Sequence, residues 1–126
     1  MKRCWIGFGL LLVLLVLSIA VTGFMTRIHS EIALDLEQSG ECALLGEWEN
    51  TQLFFRRARR NWERWEELRS CFANHEPTEN IDAAFAALNI YGQAKDAAAY
   101  RAACAVLACQ VRNLGDAHKP VWWNLF

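Results

Sequence analysis

Proline is scarce in this chain, with two in 126 residues, and glycine is held to seven. A sandwich or barrel of short strands needs turn residues roughly every eight to twelve positions, so this punctuation disfavours an all-β fold. The length excludes a multidomain enzyme, since a domain typically takes about 100 residues or more. Catalytic signatures are missing too. There is no GxSxG, GxxxxGK[ST] or GxGxxG, and no carboxylate pair at a spacing that implies acid–base work. His75-Glu76 would need a second histidine at 79 to resemble a zinc-protease helix. Glu79 stands there, and His29 and His118 lie on other segments. No CxxC occurs among the five cysteines. The chain is therefore expected not to be an enzyme, with no catalytic residue, no metal ligand and no cofactor.

What is present begins with a run of 22 uncharged residues, Cys4 to Met25. As a helix it would be about 33 Å long, against a hydrocarbon core of about 30 Å. Its six Leu, three Val, two Ile and two Phe each favour insertion by about 0.3 to 0.6 kcal/mol. Lys2 and Arg3 precede the run, whereas Arg27 is followed by the acids Glu31, Asp35, Glu37 and Glu41. That asymmetry keeps the amino terminus in the cytoplasm and exports the rest. The reading is a single-pass signal anchor in the cell membrane. A cleaved signal peptide is the alternative, with small residues at Ser18-Ile19-Ala20 and Val21-Thr22-Gly23, but the apolar run continues past both.

The exported part holds eleven basic and fourteen acidic residues, a net charge of −3. Ile28, Ile32 and Leu36 recur every four positions, so the membrane helix should continue outward as an amphipathic helix, frayed near Ser39-Gly40 and ended by Gly46. Trp48, Thr51, Phe55, Ala58, Trp62, Trp65, Arg69 and Phe72 then alternate steps of three and four, a heptad seam with two non-apolar members. The residue before a proline disfavours the helical region, so Asn74-His75-Glu76-Pro77 should end this helix and the next should start near Pro77 or Thr78. Ile81, Ala84, Phe85, Leu88 and Tyr91 form one face of the third helix, with Gly92 as its stop. Asp96 should cap a fourth, whose seam is Tyr100, Cys104, Leu107, Val111 and Leu114. Twelve of the 26 residues from Ala83 to Ala108 are alanine, which favours helix and close approach. The expected fold is all-α: a cytoplasmic tip and transmembrane anchor over 1–26, an exported up-down bundle of about four helices over 27–118, and an aromatic tail over 119–126. Such a bundle returns its carboxyl end towards the bilayer.

Trp48, Trp62, the stretch Trp65-Glu66-Glu67-Leu68-Arg69-Ser70-Cys71-Phe72-Ala73-Asn74-His75-Glu76, then Asn80-Ile81-Asp82 and the closing Asn124-Leu125-Phe126 together resemble domain of unknown function 4363. Those are small bacterial proteins with an N-terminal membrane helix and a helical exported part. The resemblance covers most of residues 5–126. It implies this architecture at a bacterial envelope and no assigned activity.

Contact candidates are the basic run Arg56, Arg57, Arg59 and Arg60 and the tail residues Trp122, Trp123 and Phe126. Export removes nucleic acid as a partner of the basic run. The run reads first as a solvated face with helical ion pairs such as Arg59 with Glu63, then as a contact for anionic lipid, an envelope polymer or a protein. The tail is open to docking under the bundle, to the headgroup region and to a partner. Trp48, Trp62, Trp65 and Phe72 are expected to be structural, and His75 to close the second helix through its last carbonyls. Cys42, Cys71, Cys104 and Cys109 lie outside the membrane, an even number that permits disulfides without requiring them. The partners expected are the membrane, through residues 4–25, and an unidentified protein at the cell envelope. A membrane-surface or ligand-sensing accessory domain is the other functional reading.

Overall fold

The computed structural model describes residues 1–70 and 75–116. Among them all regular structure is helical: α1 (Lys2–Leu44), α2 (Trp48–Arg64), the single turn α3 (Glu66–Ser70), α4 (His75–Ala94) and α5 (Ala97–Asp116).

The first helix runs unbroken for 43 residues, about 64 Å. Residues 1–20 are exposed along their whole length, and burial begins in earnest at Met25, followed by Ile28, His29, Ile32, Ala33, Asp35, Leu36, Ser39, Gly40 and Ala43. One helix thus supplies two elements, an apolar inner half long enough to cross a membrane and an outer half that forms the spine of the bundle. Across the join, Thr22 and Thr26 donate their hydroxyls to the carbonyls of Ser18 and Thr22, both at 2.9 Å. These bonds satisfy the hydroxyls on the helix's own backbone. The expected fraying at Ser39-Gly40 does not occur. Gly40 is enclosed, and a Cβ there would meet the Cβ of Cys104 at 3.2 Å. It serves the close approach of α5.

Gly46 ends α1 as expected, at φ +75. Its N–H reaches the Ala43 carbonyl at 3.1 Å and that of Glu47 reaches Cys42 at 3.0 Å, the paired bonds of a Schellman stop. The chain reverses, and α2 descends along α1 with Thr51 opposite Ser39, Arg57 opposite Asp35 and Trp62 beside His29. The seam is as read: Thr51, Phe55, Ala58 and Trp62 are buried and Trp48 and Trp65 pack on the core. The helix is shorter than read, however. Trp65 leaves the helical region at φ −103, ψ 11, so α2 stops at Arg64 and α3 follows.

Two further boundaries are corrected. Helix α4 starts at His75 rather than at Pro77 or Thr78. Proline is tolerated within the first helical turn, where its missing N–H has no partner to lose. Helix α4 ends at Ala94, beyond Gly92, and Lys95 then adopts φ 53 while its N–H and that of Asp96 bond the carbonyls of Gly92 and Tyr91. Gly92 lies inside the helix because the Tyr100 ring and the Gln52 amide crowd the place of its Cβ. Tyr91, expected on the inner face, is exposed at 39%, while Ile81, Phe85 and Leu88 are buried. Asp96 caps α5 through its carboxylate, which accepts the Ala99 N–H at 3.2 Å. The whole predicted seam of α5 is buried.

The bundle runs up, down, up and down, with α1 packed between α2 and α5 and with α4 on α5. On the remaining side α2 and α4 meet through side chains, Phe55 and Trp62 against Phe85. Gly115, near the end of α5, lies against His29, so the last helix does return to the end of the bundle from which the apolar half of α1 projects.

Candidate functional site

Two ends of the bundle differ in chemistry, and the interaction candidates sort between them. At the proximal end, next to the apolar half of α1, Phe24 and Trp65 meet edge to face with centroids 5.2 Å apart. The Arg64 guanidinium lies over the Trp65 ring at 5.5 Å. His29 is buried there, its Nδ1–H donating to the Met25 carbonyl at 2.6 Å, with Trp62 set edge-on to its ring. The distal end has the α1–α2 turn and the end of α4. It exposes Leu44, Leu45, Leu53, Ile90 and Tyr91.

The basic run lies between, on α2, and its members have different roles. Arg57 reaches across to α1 and grips the Asp35 carboxylate with two nitrogens, one at 2.9 Å. Asp35 is only 7% exposed at its side chain, so Arg57 has a structural duty as well as a surface position. The arrangement holds the Arg57 guanidinium above its ordinary pKa, mainly through the hydrogen bond to Asp35. Arg59 pairs with Glu63 at 3.0 Å, as the spacing implied. Arg56 and Arg60 are exposed and have no carboxylate partner among the described residues. Of the four arginines, two therefore remain available to a ligand.

An open cleft of about 350 Å³ separates α2 from α4, lined by Arg59, Trp62, Glu63, Glu66, Asp82 and Phe85. Its carboxylates are largely occupied: Glu63 holds Arg59, and Asp82 accepts the Trp62 indole N–H at 2.6 Å. Among the described residues no group of three or more His, Cys, Asp or Glu side chains is placed to hold a metal ion. The described cysteines, Cys4, Cys42, Cys104 and Cys109, are free thiols. Burial pushes the Cys104 thiol up to about 12, which keeps it protonated, while Cys109 is exposed.

Trp48, Trp62 and Trp65 are structural as read, Trp48 packing edge-on against Tyr100. Phe72, Trp122, Trp123 and Phe126 lie outside the described residues. His75 opens α4 instead of closing α2, which corrects its reading as a C-terminal cap. The backbone break at Trp65 had already ended α2 ten residues earlier.

Sequence reasoning missed the polar spine of α1, His29, Asp35 and Ser39, all buried. A signal existed. His29, Ala33, Leu36, Gly40 and Ala43 form a second stripe at steps of four and three beside Ile28, Ile32 and Leu36. Two such stripes mark a helix covered from two sides. Comparison with known proteins adds no identity: no family profile, no curated protein and no solved structure matches this chain.

Proposed function

We propose that this chain is a single-pass membrane protein whose exported helical domain is an interaction or structural module at the cell envelope, with no catalytic role. The amino terminus is cytoplasmic, the bundle extracytoplasmic, and the resemblance to domain of unknown function 4363 is consistent with this arrangement. The supporting observation is the continuity of α1. A chemically inert bundle joined to its membrane span by an unbroken helix is held at fixed height and orientation. From Phe24 to Leu45 the rod rises about 31 Å. It raises the exposed apolar residues of the distal end clear of the headgroups, where a protein partner can reach them.

The test is photo-crosslinking in living cells from a probe at Leu45 in the full chain, with a second probe at Trp122 to sample the tail. A discrete protein adduct from Leu45 supports an interaction module. Products limited to lipid or to the chain itself from both positions overturn it. The mass of the chain recovered from membranes separates retention of the anchor from cleavage after Ala20 or Gly23.

A further inference from the structure

We infer that the α2–α3 junction is a second membrane contact, in which Trp65 lies in the interfacial layer of the bilayer crossed by α1 and Arg64 binds a phospholipid phosphate. This deepens the proposed function and rests on residues 4–25 spanning the bilayer.

The apolar run ends at Met25, and Phe24, in its last turn, carries the Trp65 ring against it. Trp65 is thereby fixed at the height where hydrocarbon gives way to headgroup. Tryptophan favours that layer, because its apolar ring and its N–H have different solvent needs. At the other end of the span Trp5 is 75% exposed. Trp5 and Phe24 are nineteen positions apart, about 29 Å along the helix and close to the thickness of a hydrocarbon core. The two tryptophans thus sit at the two boundaries that one bilayer would present.

Arg64 supplies the charge. It is exposed, stacks on Trp65, and has no carboxylate partner among the described residues. Its planar fork matches a phosphate, and the guanidinium held over the Trp65 ring keeps its edge donors free for one. Arg60 and Arg56 stand about 6 and 12 Å further up α2, and Arg27 is paired with Glu31, so among the described arginines without a carboxylate partner on the exported side Arg64 lies deepest in the headgroup layer. Glu66 turns into the cleft beside Asp82. Glu67 is exposed at the same end and repels anionic headgroups. The group recognised is therefore the phosphate common to phospholipids, rather than net negative charge.

The experiment places benzoylphenylalanine at position 14, 48 or 65 of the full chain in phosphatidylcholine nanodiscs and weighs the lipid adducts. The expected result is strong adduct formation at 14 and 65 and at least tenfold less at 48, at the far end of the bundle. Arg64→Gln should lower the yield at 65 at least threefold. An adduct at 14 without one at 65 overturns the contact and leaves the span standing. No adduct at 14 overturns both. A yield at 65 indifferent to Arg64→Gln overturns the phosphate assignment. Because the bulky probe replaces a half-buried ring, the natural side chain is tested as well. Phospholipid brominated near the carbonyl end of its chains should quench the unsubstituted protein more than Trp65→Phe, and equal quenching counts against the contact.

Discussion

Replacing Ser39 with alanine should destabilise the bundle more than replacing Tyr100 with phenylalanine, although both changes break the same hydrogen bond. Ser39 Oγ donates to the Thr51 carbonyl at 2.8 Å and lies 2.7 Å from the Tyr100 hydroxyl. With the serine proton committed to Thr51, the tyrosine must be the donor. The phenylalanine variant removes that donor and leaves Ser39 bonded to Thr51, a loss of about 1 kcal/mol. The alanine variant takes Ser39 from the Tyr100 hydroxyl, on a side chain that is 1% exposed, and leaves it only the weaker acceptor Cys104 Sγ, at about 2 kcal/mol. For a domain of this size the alanine variant should melt about 10 °C below the unsubstituted chain. The double variant removes the poorly satisfied hydroxyl along with its lost partner, so it should be no less stable than Ser39→Ala alone. Circular dichroism melts of the four full-length proteins in detergent measure the cycle. Strictly additive losses, or a larger loss for Tyr100→Phe, would refute the direction of the bond.

The Asp35–Arg57 pair should show a similar asymmetry. Arg57→Ala leaves a carboxylate that is 7% exposed without its partner and should cost about 2 to 3 kcal/mol. Asp35→Ala leaves an arginine that is 53% exposed free to rehydrate, and should cost about 1; equal denaturation midpoints would contradict this. Glu37 is held below the ordinary carboxylate value of 4.5 by its hydrogen bond from Arg112, with the charge of Arg112 adding to it against desolvation. A lowered folded pKa contributes stability above the unfolded value that is lost as pH falls through the folded one. Both partners are 42% exposed, so the contribution is small. The gap in melting temperature between the unsubstituted chain and Glu37→Gln should narrow as pH drops below the ordinary carboxylate value of 4.5, and a gap that widens as pH falls would exclude the linkage.

The helices and most of their inward faces were legible because helix burial leaves a periodic trace. The seam from Trp48 to Trp62 and that from Tyr100 to Leu114 needed only counting. Boundaries were less legible where two local rules competed. Gly92 reads as a stop, yet it is required inside α4 by the ring of Tyr100, eight residues later in the chain, while Lys95 takes the left-handed position that glycine would fill more cheaply. The break at Trp65 has no propensity signal in its neighbours. The candidate contacts were legible in type and not in partner. That Arg57 would be tied to Asp35 while Arg56 and Arg60 stayed free depends on which face of α2 meets α1, and the arginines alone carry no trace of it.

The buried polar groups of α1 bear on how the chain works, because two of them, Ser39 and Asp35, bond partners on other elements. Ser39 links α1 to α2 and α5, and Asp35 links it to α2. Gly40 admits α5 to close range, and the arginines Arg101 and Arg112 of α5 reach the α1 acids Glu41 and Glu37. The same helix continues into the apolar half with no glycine or proline forced by packing at the join. Gly23 has nothing within 4 Å of where a Cβ would lie. A domain tethered by a flexible linker would sample many heights and orientations. With the apolar half in a bilayer as proposed, a tilt of the span would turn the bundle with it, because the same helix is gripped by α2 and α5. On the proposed membrane reading such a device would select partners by their distance from the membrane as well as by their chemistry, and that selectivity would be lost first by inserting a flexible segment between Gly23 and Arg27.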